Sequence, residues 1–192
     1  MQGKQGAQGK GRAPSQRECL AILKSYALPE NAIQHMLLVN RIAMFLGREL
    51  SDKGIALDLE AIRAASLLHD LDKMQTLKMG NHGLESAKVL SKLGYPSLGR
   101  IISKHTPASV GELNTWEEKI VNYADKRAGD TGVVSLEERF AYFKRKYGIK
   151  EDDAQKEIER RYHMLEQEIF TLIGIRPEEL AKRLGEDGKR LL

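Results

Sequence analysis

Histidines and aspartates recur in this sequence at positions that face inward on predicted helices. His35 shares a helical stripe with Val39, and His69 and His105 each end an apolar stripe. Asp125 lies on the apolar face of a later predicted helix. A buried carboxylate is costly without a cationic partner, and we find no lysine or arginine on the same predicted faces. The sequence therefore predicts that a metal ion supplies the positive charge.

The types of donor narrow the choice of metal. Histidine nitrogen and carboxylate oxygen, without sulfur, suit iron, manganese, zinc or magnesium. Cys19 is the only cysteine, which excludes an internal disulfide and a cysteine-based zinc site. Each residue alone has an ordinary explanation, because an inward histidine is more often a hydrogen-bonded core residue than a ligand. The prediction depends on several such groups meeting at one place.

The elements that must position these side chains are predicted to be helices. Capping boxes predict three helix starts, at Ser15, Thr115 and Ser135. Four more helix starts are predicted at Pro29, Asp58, Gly83 and Pro177. Residues 152–173 place apolar side chains on one stripe at helical spacing. We find no convincing alternating strand. The sequence therefore predicts an all-α single domain of about nine helices.

Length and composition agree with this fold class. The chain has 192 residues, of which 41% are apolar and 30% are charged, as in ordinary globular domains. No apolar run reaches the roughly 18 residues of a membrane helix, and no secretory signal is evident. We therefore expect a cytoplasmic protein without a membrane partner.

The first residues of the chain carry most of its excess charge. Residues 1–14 contain three basic residues, four glycines and no acidic residue, whereas the whole chain has a net charge of +4. The remainder is nearly neutral, so nucleic acid is not an expected partner. We predict that residues 1–14 are a disordered basic tail, that 15–134 form the main domain, and that 135–192 are a helical extension packed on it.

The order of the candidate ligands resembles the HD-domain superfamily of metal-dependent phosphohydrolases. The resemblance covers about residues 29–130 and rests on the strings LLHDLDK, NHGLESAKVL, ISKHT and VNYADK. It implies two divalent metal ions that share Asp70, the first bound by His35, His69, Asp70 and Asp125, and the second by His82, His105 and Asp70. Paired ions can activate water as hydroxide and stabilise both the attacking and the leaving oxygen of a phosphate ester.

The resemblance also assigns roles beside the metal ions. Asp70 and Lys73 are the candidate catalytic residues, and Lys73 matches the lysine of the HD-x-x-K pattern, which would contact the substrate phosphate as a point charge. Thr106 and Arg127, which follow predicted ligands, are candidate substrate contacts. Lys126 is the alternative to Arg127, because adjacent helical positions diverge by about 100° and both side chains cannot reach the phosphate equally well.

The substrate is less well determined than the metal site. His82-Gly83 and His105-Thr106 most resemble the small stand-alone hydrolases that split diadenosine tetraphosphate symmetrically, but this resemblance fades after Asp125. We therefore expect a nucleotide or a related phosphoester or phosphoanhydride. Two functional alternatives stay open: a non-catalytic, metal-stabilised module that binds a nucleotide or a protein, and an RNA-linked factor that acts through the basic tail. A homodimer is also left open.

Overall fold

The computed structural model describes residues 13–76, 83–130 and 132–190. In these ranges the chain forms ten α-helices and no strand: α1 Gln16–Ser25, α2 Glu30–Asp52, α3 Leu59–Leu68, α4 Lys73–Thr76, α5 Leu84–Lys92, α6 Pro96–Ser103, α7 Trp116–Arg127, α8 Leu136–Tyr147, α9 Asp153–Ile173 and α10 Leu180–Arg190. Two short 3₁₀ helices lie at Pro107–Glu112 and Pro177–Glu179. The prediction of an all-α fold is confirmed. The additional helix is α4, a single turn that is too short to produce a periodic pattern.

Local hydrogen bonds explain where the helices begin. All three predicted capping boxes form, at Ser15 with Glu18, Thr115 with Glu118 and Ser135 with Glu138. Asp58 caps α3, since its carboxylate accepts a hydrogen bond from the Ala61 amide at 3.0 Å. These side chains satisfy amide groups that have no partner within the helix. These four helix starts were therefore readable from the sequence, whereas the start predicted at Pro177 is a 3₁₀ turn and α10 begins at Leu180.

Helix α2 is the centre of the fold, and α3, α7, α9 and α10 all contact it. Its inward stripe is buried along its length and includes Met36, Val39, Ile42 and Leu46. Burial of such apolar side chains is the main source of stability in a helical domain. The stripe begins close to His35, so the helix that organises the core also presents this histidine.

Helices α5 and α6 form a tightly packed pair. A Cβ atom at Gly99 would lie only 2.8 Å from the carbonyl oxygen of Ala87, so a glycine is needed where the two helices approach most closely. Helix α6 leads directly to His105. The packing of this pair therefore fixes the position from which His105 is presented.

The C-terminal helices α8 and α9 also pack against the rest of the fold. Helix α8 contacts α7, and α9 contacts α2, α7 and α8. Within the part of the chain that the structure describes, no helix is long and apolar enough to cross a membrane. The predicted disordered tail falls almost entirely on residues 1–12, which lie outside the described residues.

Candidate metal centre

Three imidazole rings meet where α2, α3 and α6 converge. His35 comes from the second turn of α2, His69 is the C-cap residue of α3, and His105 follows the end of α6. The ring centroids of His35 and His69 are 5.6 Å apart, and those of His69 and His105 are 5.0 Å apart. His69 and His105 are buried, and the His35 side chain is 12% exposed. Inward helical spacing thus brings together residues up to 70 positions apart.

Two carboxylates lie among these rings. Asp125 Oδ1 is 2.9 Å from His35 Nε2 and 3.7 Å from His69 Nε2. Asp70 Oδ2 is 3.9 Å from His35 Nε2 and 3.7 Å from His69 Nε2. Its other oxygen, Oδ1, is 3.6 Å from His105 Nε2. The Asp70 carboxylate therefore faces His35 and His69 with one oxygen and His105 with the other.

Backbone contacts orient two of the rings. His69 Nδ1 lies 2.9 Å from the Ser66 carbonyl oxygen, and His105 Nδ1 lies 2.7 Å from that of Ile102. Because a carbonyl only accepts, Nδ1 carries the hydrogen in both rings, and in the neutral ring Nε2 is then a lone-pair donor. Burial lowers the pKa of His105, which favours that neutral ring. Both Nε2 atoms face carboxylate oxygens.

His69 Nε2 is a buried donor atom that the described residues leave unused. It is buried and has no hydrogen-bond partner among the described residues. Its distances of 3.7 Å to Asp70 and Asp125 are too long for hydrogen bonds. His35, His69 and Asp125 offer donor atoms that all lie within 4.8 Å of one another. This set of nitrogen and oxygen donors fits a divalent metal ion.

Two lysines reach the cluster, so the prediction that no lysine or arginine accompanies the buried carboxylates is wrong. Lys126 is buried, and its Nζ donates to Asp125 Oδ2 and, at 3.1 Å, to the His105 carbonyl oxygen. Lys73, on α4, donates to Asp70 Oδ2. Long side chains can bend away from the helical face on which their Cα atoms lie. The case for a metal ion therefore depends on the imidazole nitrogens and not on an absence of cations.

Lys126 also governs the electrostatics of Asp125. Burial by itself would raise the pKa of this carboxyl group, but the Lys126 ammonium and the His35 and His69 rings hold the pKa well below its ordinary value. For His35, burial has the opposite effect and lowers the pKa, although the neighbouring Asp125 opposes that shift. An ionised carboxylate beside neutral imidazoles is the protonation state that binds a metal ion.

Arg127, a predicted substrate contact, does not reach the cluster. Its guanidinium donates to the carbonyl oxygens of Val134 at 2.6 Å and Pro177 at 3.1 Å, and to Glu166 Oε2 at 2.8 Å. Arg127 therefore ties α7 to the C-terminal helices. Lys126 takes the inward position, because consecutive helical residues diverge by about 100°.

His82 lies outside the described residues, so its role as a ligand of a second metal ion stays a prediction. The residue after it, Gly83, is described and has a φ of +85°. A Cβ atom there would lie 2.8 Å from His105 Cε1. The chain that follows His82 therefore lies against the His105 ring.

Asp72, for which the sequence pattern predicted no role, positions this turn. It is buried, and its Oδ2 accepts hydrogen bonds from the amides of Gly83 at 2.8 Å and Ser86 at 3.1 Å. The carboxylate thereby caps the start of α5. Because Asp72 is two residues from Asp70, the same turn supplies the candidate ligand Asp70 and fixes Gly83, which lies against the His105 ring. In the sequence, the only sign of this role was that a second aspartate follows the His69-Asp70 pair so closely.

Asn122 and Tyr162 position the other side of the cluster and were also missed. Asn122 Nδ2 donates to the carbonyl oxygens of Lys104 at 2.7 Å and Thr106 at 3.2 Å, on either side of His105. The buried Tyr162 hydroxyl of α9 donates to Asn122 Oδ1 at 2.7 Å. An asparagine beside an aspartate in a helix gives no sequence signal for this contact.

A cavity of about 440 Å³ opens onto the cluster. Four of the candidate ligands line it: His35, Asp70, His105 and Asp125. Lys73, Thr106 and Lys126 are among the other polar residues of the lining. Lys73 and Thr106, two of the predicted substrate contacts, thus line the cavity, and their contact with a substrate stays a prediction. The start of α2 contributes further lining, and another wall belongs to α8 and the residues after it, which no sequence motif indicated.

Comparisons with known proteins indicate the family of this chain. The HD domain family matches residues 32–130. An uncharacterized protein of Methanocaldococcus jannaschii is 31% identical over 146 residues, which are 68% of this chain and 85% of that protein. A tRNA (cytidine(56)-2'-O)-methyltransferase of Picrophilus torridus is 26% identical over 186 residues, which are 89% of this chain but only 51% of that enzyme.

The match to the methyltransferase therefore spans about half of that relative's length. No solved structure gives a significant match. The family match covers more than half of the chain, and it includes every candidate ligand: His35, His69, Asp70, His82, His105 and Asp125. The chain belongs to the HD domain family.

Proposed function

We propose that the protein is a metal-dependent phosphohydrolase that acts on a nucleotide or a related phosphoester or phosphoanhydride. The observation that carries the proposal is the His69 Nε2 atom, which is buried without a hydrogen-bond partner among the described residues and faces two carboxylates. Membership of the HD domain family supports the same conclusion. An open cavity beside these donors gives a substrate access to them.

His35, His69, Asp70 and Asp125 would hold a first divalent ion. The two-sided position of Asp70, with Oδ2 toward His35 and His69 and Oδ1 toward His105, supports a second ion that His105 and His82 would bind. Such ions supply Lewis-acid charge and an activated water.

The chain's own residues bind and orient the substrate phosphate in this proposal. Lys73 and Lys126 bring two ammonium groups to the cavity, and each already contacts an aspartate there. Phosphoryl transfer depends mainly on positioning and charge neutralisation, so fixed cations are what it needs. The Thr106 hydroxyl lies at the same wall and can donate a hydrogen bond to a phosphate oxygen.

A hydrolysis panel tests the proposal. Protein reconstituted separately with Mn²⁺, Fe²⁺, Co²⁺ and Mg²⁺ is incubated with diadenosine tetraphosphate, nucleoside monophosphates, 2′,3′-cyclic nucleotides and alarmones. We expect release of phosphate or of a shorter nucleotide from at least one substrate, and loss of this activity in Asp125→Asn. The matched control is Asp153→Asn, at the exposed start of α9. Metal-loaded protein that is inert on the whole panel would leave the non-catalytic binding module as the better interpretation.

The methyltransferase relative favours RNA as a second candidate substrate or ligand. That enzyme is named for a reaction on tRNA, and this chain matches about half of it. Native-gel binding to tRNA, measured with the full chain and with a chain that begins at residue 15, distinguishes the two ideas. Binding that depends on the first 14 residues would support the RNA-linked alternative, whereas hydrolysis of free nucleotides without tRNA binding supports the main proposal.

A further inference from the structure

Helix α8 lies outside residues 32–130, the part of the chain that the family match covers, yet it forms one wall of the cavity. Arg139, Tyr142, Phe143 and Lys146 all line the cavity. Their spacing of three, four and seven residues places them on one face of the helix. This face therefore contacts whatever enters the cavity, although none of these residues belongs to the HD motif.

Arg139 is a member of this face that lies close to a candidate ligand. Its side chain is 9% exposed, and its Nη2 lies 3.9 Å from Asp125 Oδ1. Its Nε is buried and has no hydrogen-bond partner among the described residues. The guanidinium stacks on the Phe143 ring, with Cζ 4.4 Å from the centroid. Arg139 is thus a buried cation that contacts an aromatic ring, and none of the described residues accepts a hydrogen bond from its Nε.

A buried guanidinium with an unpaired N–H favours an anionic acceptor. The adjacent Nε and Nη donors of arginine form a planar fork that matches two oxygens of a phosphate. Asp125 does not fill this role, since 3.9 Å is beyond hydrogen-bond distance. A phosphate beside the metal ligands would lie within reach of this fork.

The exposed end of the same wall is aromatic. Tyr147, which lines the mouth of the cavity, is 53% exposed, and its ring centroid is 5.9 Å from that of Phe143. Ile149 and Met74 lie at the same opening and are also exposed. A planar ring that enters here meets an apolar surface, and a nucleobase can stack on the tyrosine.

We propose that α8 recognises the substrate as a nucleoside phosphate, with Arg139 binding the phosphate and Tyr147 stacking on the base. This inference rests on the proposed function, since it names the substrate class of the same site. It also gives Arg139 the phosphate-binding role for which the sequence suggested Arg127.

Calorimetric binding tests the inference without requiring turnover. Inorganic phosphate, ribose 5-phosphate and AMP are titrated into wild-type protein, Arg139→Met, Arg139→Lys and Tyr147→Ala. We expect both Arg139 variants to bind all three probes about 10- to 100-fold more weakly, as for loss of a hydrogen bond between charged groups. Tyr147→Ala should weaken the binding of AMP alone, by about 5- to 100-fold. Tyr147→Phe, which keeps the aromatic ring, should bind AMP with wild-type affinity.

The matched control is Arg145→Met, an exposed arginine of α8 that does not line the cavity; its affinities should equal those of the wild type. Wild-type affinity for phosphate in either folded Arg139 variant would overturn the role of Arg139. An AMP affinity no tighter than that for ribose 5-phosphate would overturn the role of Tyr147. If the Arg139 variants do not fold, the ¹⁵N–¹H signal of Arg139 Nε in wild-type protein decides, because it must shift when phosphate is added.

Hydrolysis assays on the same proteins keep the two proposals separate. If no substrate is hydrolysed but the binding pattern holds, the phosphohydrolase proposal fails and the inference about α8 stands. If a substrate is hydrolysed with the same KM by wild-type protein and Arg139→Met, the inference fails and the phosphohydrolase proposal stands.

Discussion

The orientation of single imidazole rings determines what this cluster can bind. His69 and His105 each direct Nδ1 at a backbone carbonyl oxygen one helical turn earlier, at Ser66 and Ile102. Each ring is therefore fixed before any ligand arrives, with Nε2 turned toward the aspartates. Preorganised donors of this kind bind a metal ion more tightly than rings that must first reorient, because less conformational entropy is lost.

His105→Ala distinguishes one metal ion from two. If His105 helps to hold a second ion opposite Asp70, the variant should contain about one metal ion per chain where the wild type contains about two, and its kcat should fall more than its KM rises. Elemental analysis after anaerobic loading measures the content.

The control is His163→Ala on α9, whose ring is 46% exposed and lies outside the cluster; its metal content should match that of the wild type. A wild-type content of one ion per chain, unchanged in His105→Ala, would reduce the site to a single ion. The phosphohydrolase proposal would survive that result.

At the scale of the elements, a few residues outside the set of candidate ligands fix the positions of those candidate ligands. The turn from His69 to α4 contains Asp72, which fixes the start of α5, and Gly83 then packs against His105. The left-handed backbone at Gly83 is accessible to glycine at little cost. Through these contacts, Asp72 and Gly83 link Asp70 to His105, which is 35 positions later in the sequence.

Gly83→Ala should damage the site as well as the fold. A left-handed alanine costs about 1–2 kcal/mol, and its Cβ would lie 2.8 Å from His105 Cε1, so the ring must move. The expected result is a loss of free energy of unfolding together with lower metal content, measured by urea denaturation and elemental analysis.

Gly54→Ala is the matched control, because Gly54 also has a φ of +85° but nothing lies within 4 Å of its added Cβ. It should show the backbone cost and keep the metal. Equal metal content in the two variants would mean that the Gly83 contact does not position His105.

The sequence predicted those elements whose signals are local. Capping boxes at Ser15, Thr115 and Ser135 identified helix starts correctly because a cap involves residues only three positions apart. Helix α4 was missed because four residues cannot show a period. The α8 wall was missed because its residues combine with the rest of the cavity only through tertiary packing.

The same distinction applies to the site. Inward spacing placed His35, His69 and His105 together, since burial and periodicity are linked. The direction of a long flexible side chain is not linked to periodicity in this way. Lys126 turns inward, whereas Arg127 pairs with Glu166, a residue 39 positions later.

At the scale of the whole molecule, the candidate ligands connect separate parts of the chain. Among the described residues they come from α2, the end of α3, the end of α6 and α7. A metal ion at this cluster would cross-link helices that otherwise hold together by apolar packing. Metal binding and global stability should therefore be coupled.

Chelation should lower the melting temperature. A ligand at a hundredfold excess over its Kd stabilises the native state by about 2.7 kcal/mol, which corresponds to roughly 5–10 °C for a chain of this size. Differential scanning calorimetry before and after treatment with a chelator measures the shift. His69→Ala, which lacks a central ligand, should show no further shift. An unchanged melting temperature in wild-type protein shown to have lost its metal would contradict the cross-linking role.

The contact between Tyr162 and Asn122 has a consequence for how this chain can be divided. The family match ends at residue 130, but the amide that holds the loop around His105 takes its hydrogen bond from α9, 40 positions later. A fragment cut at that boundary would lose this donor and would open the buried faces of Tyr123 and Arg127 to water. We therefore expect the HD motif and the extension to unfold together, and we expect a fragment that ends at residue 130 not to fold on its own.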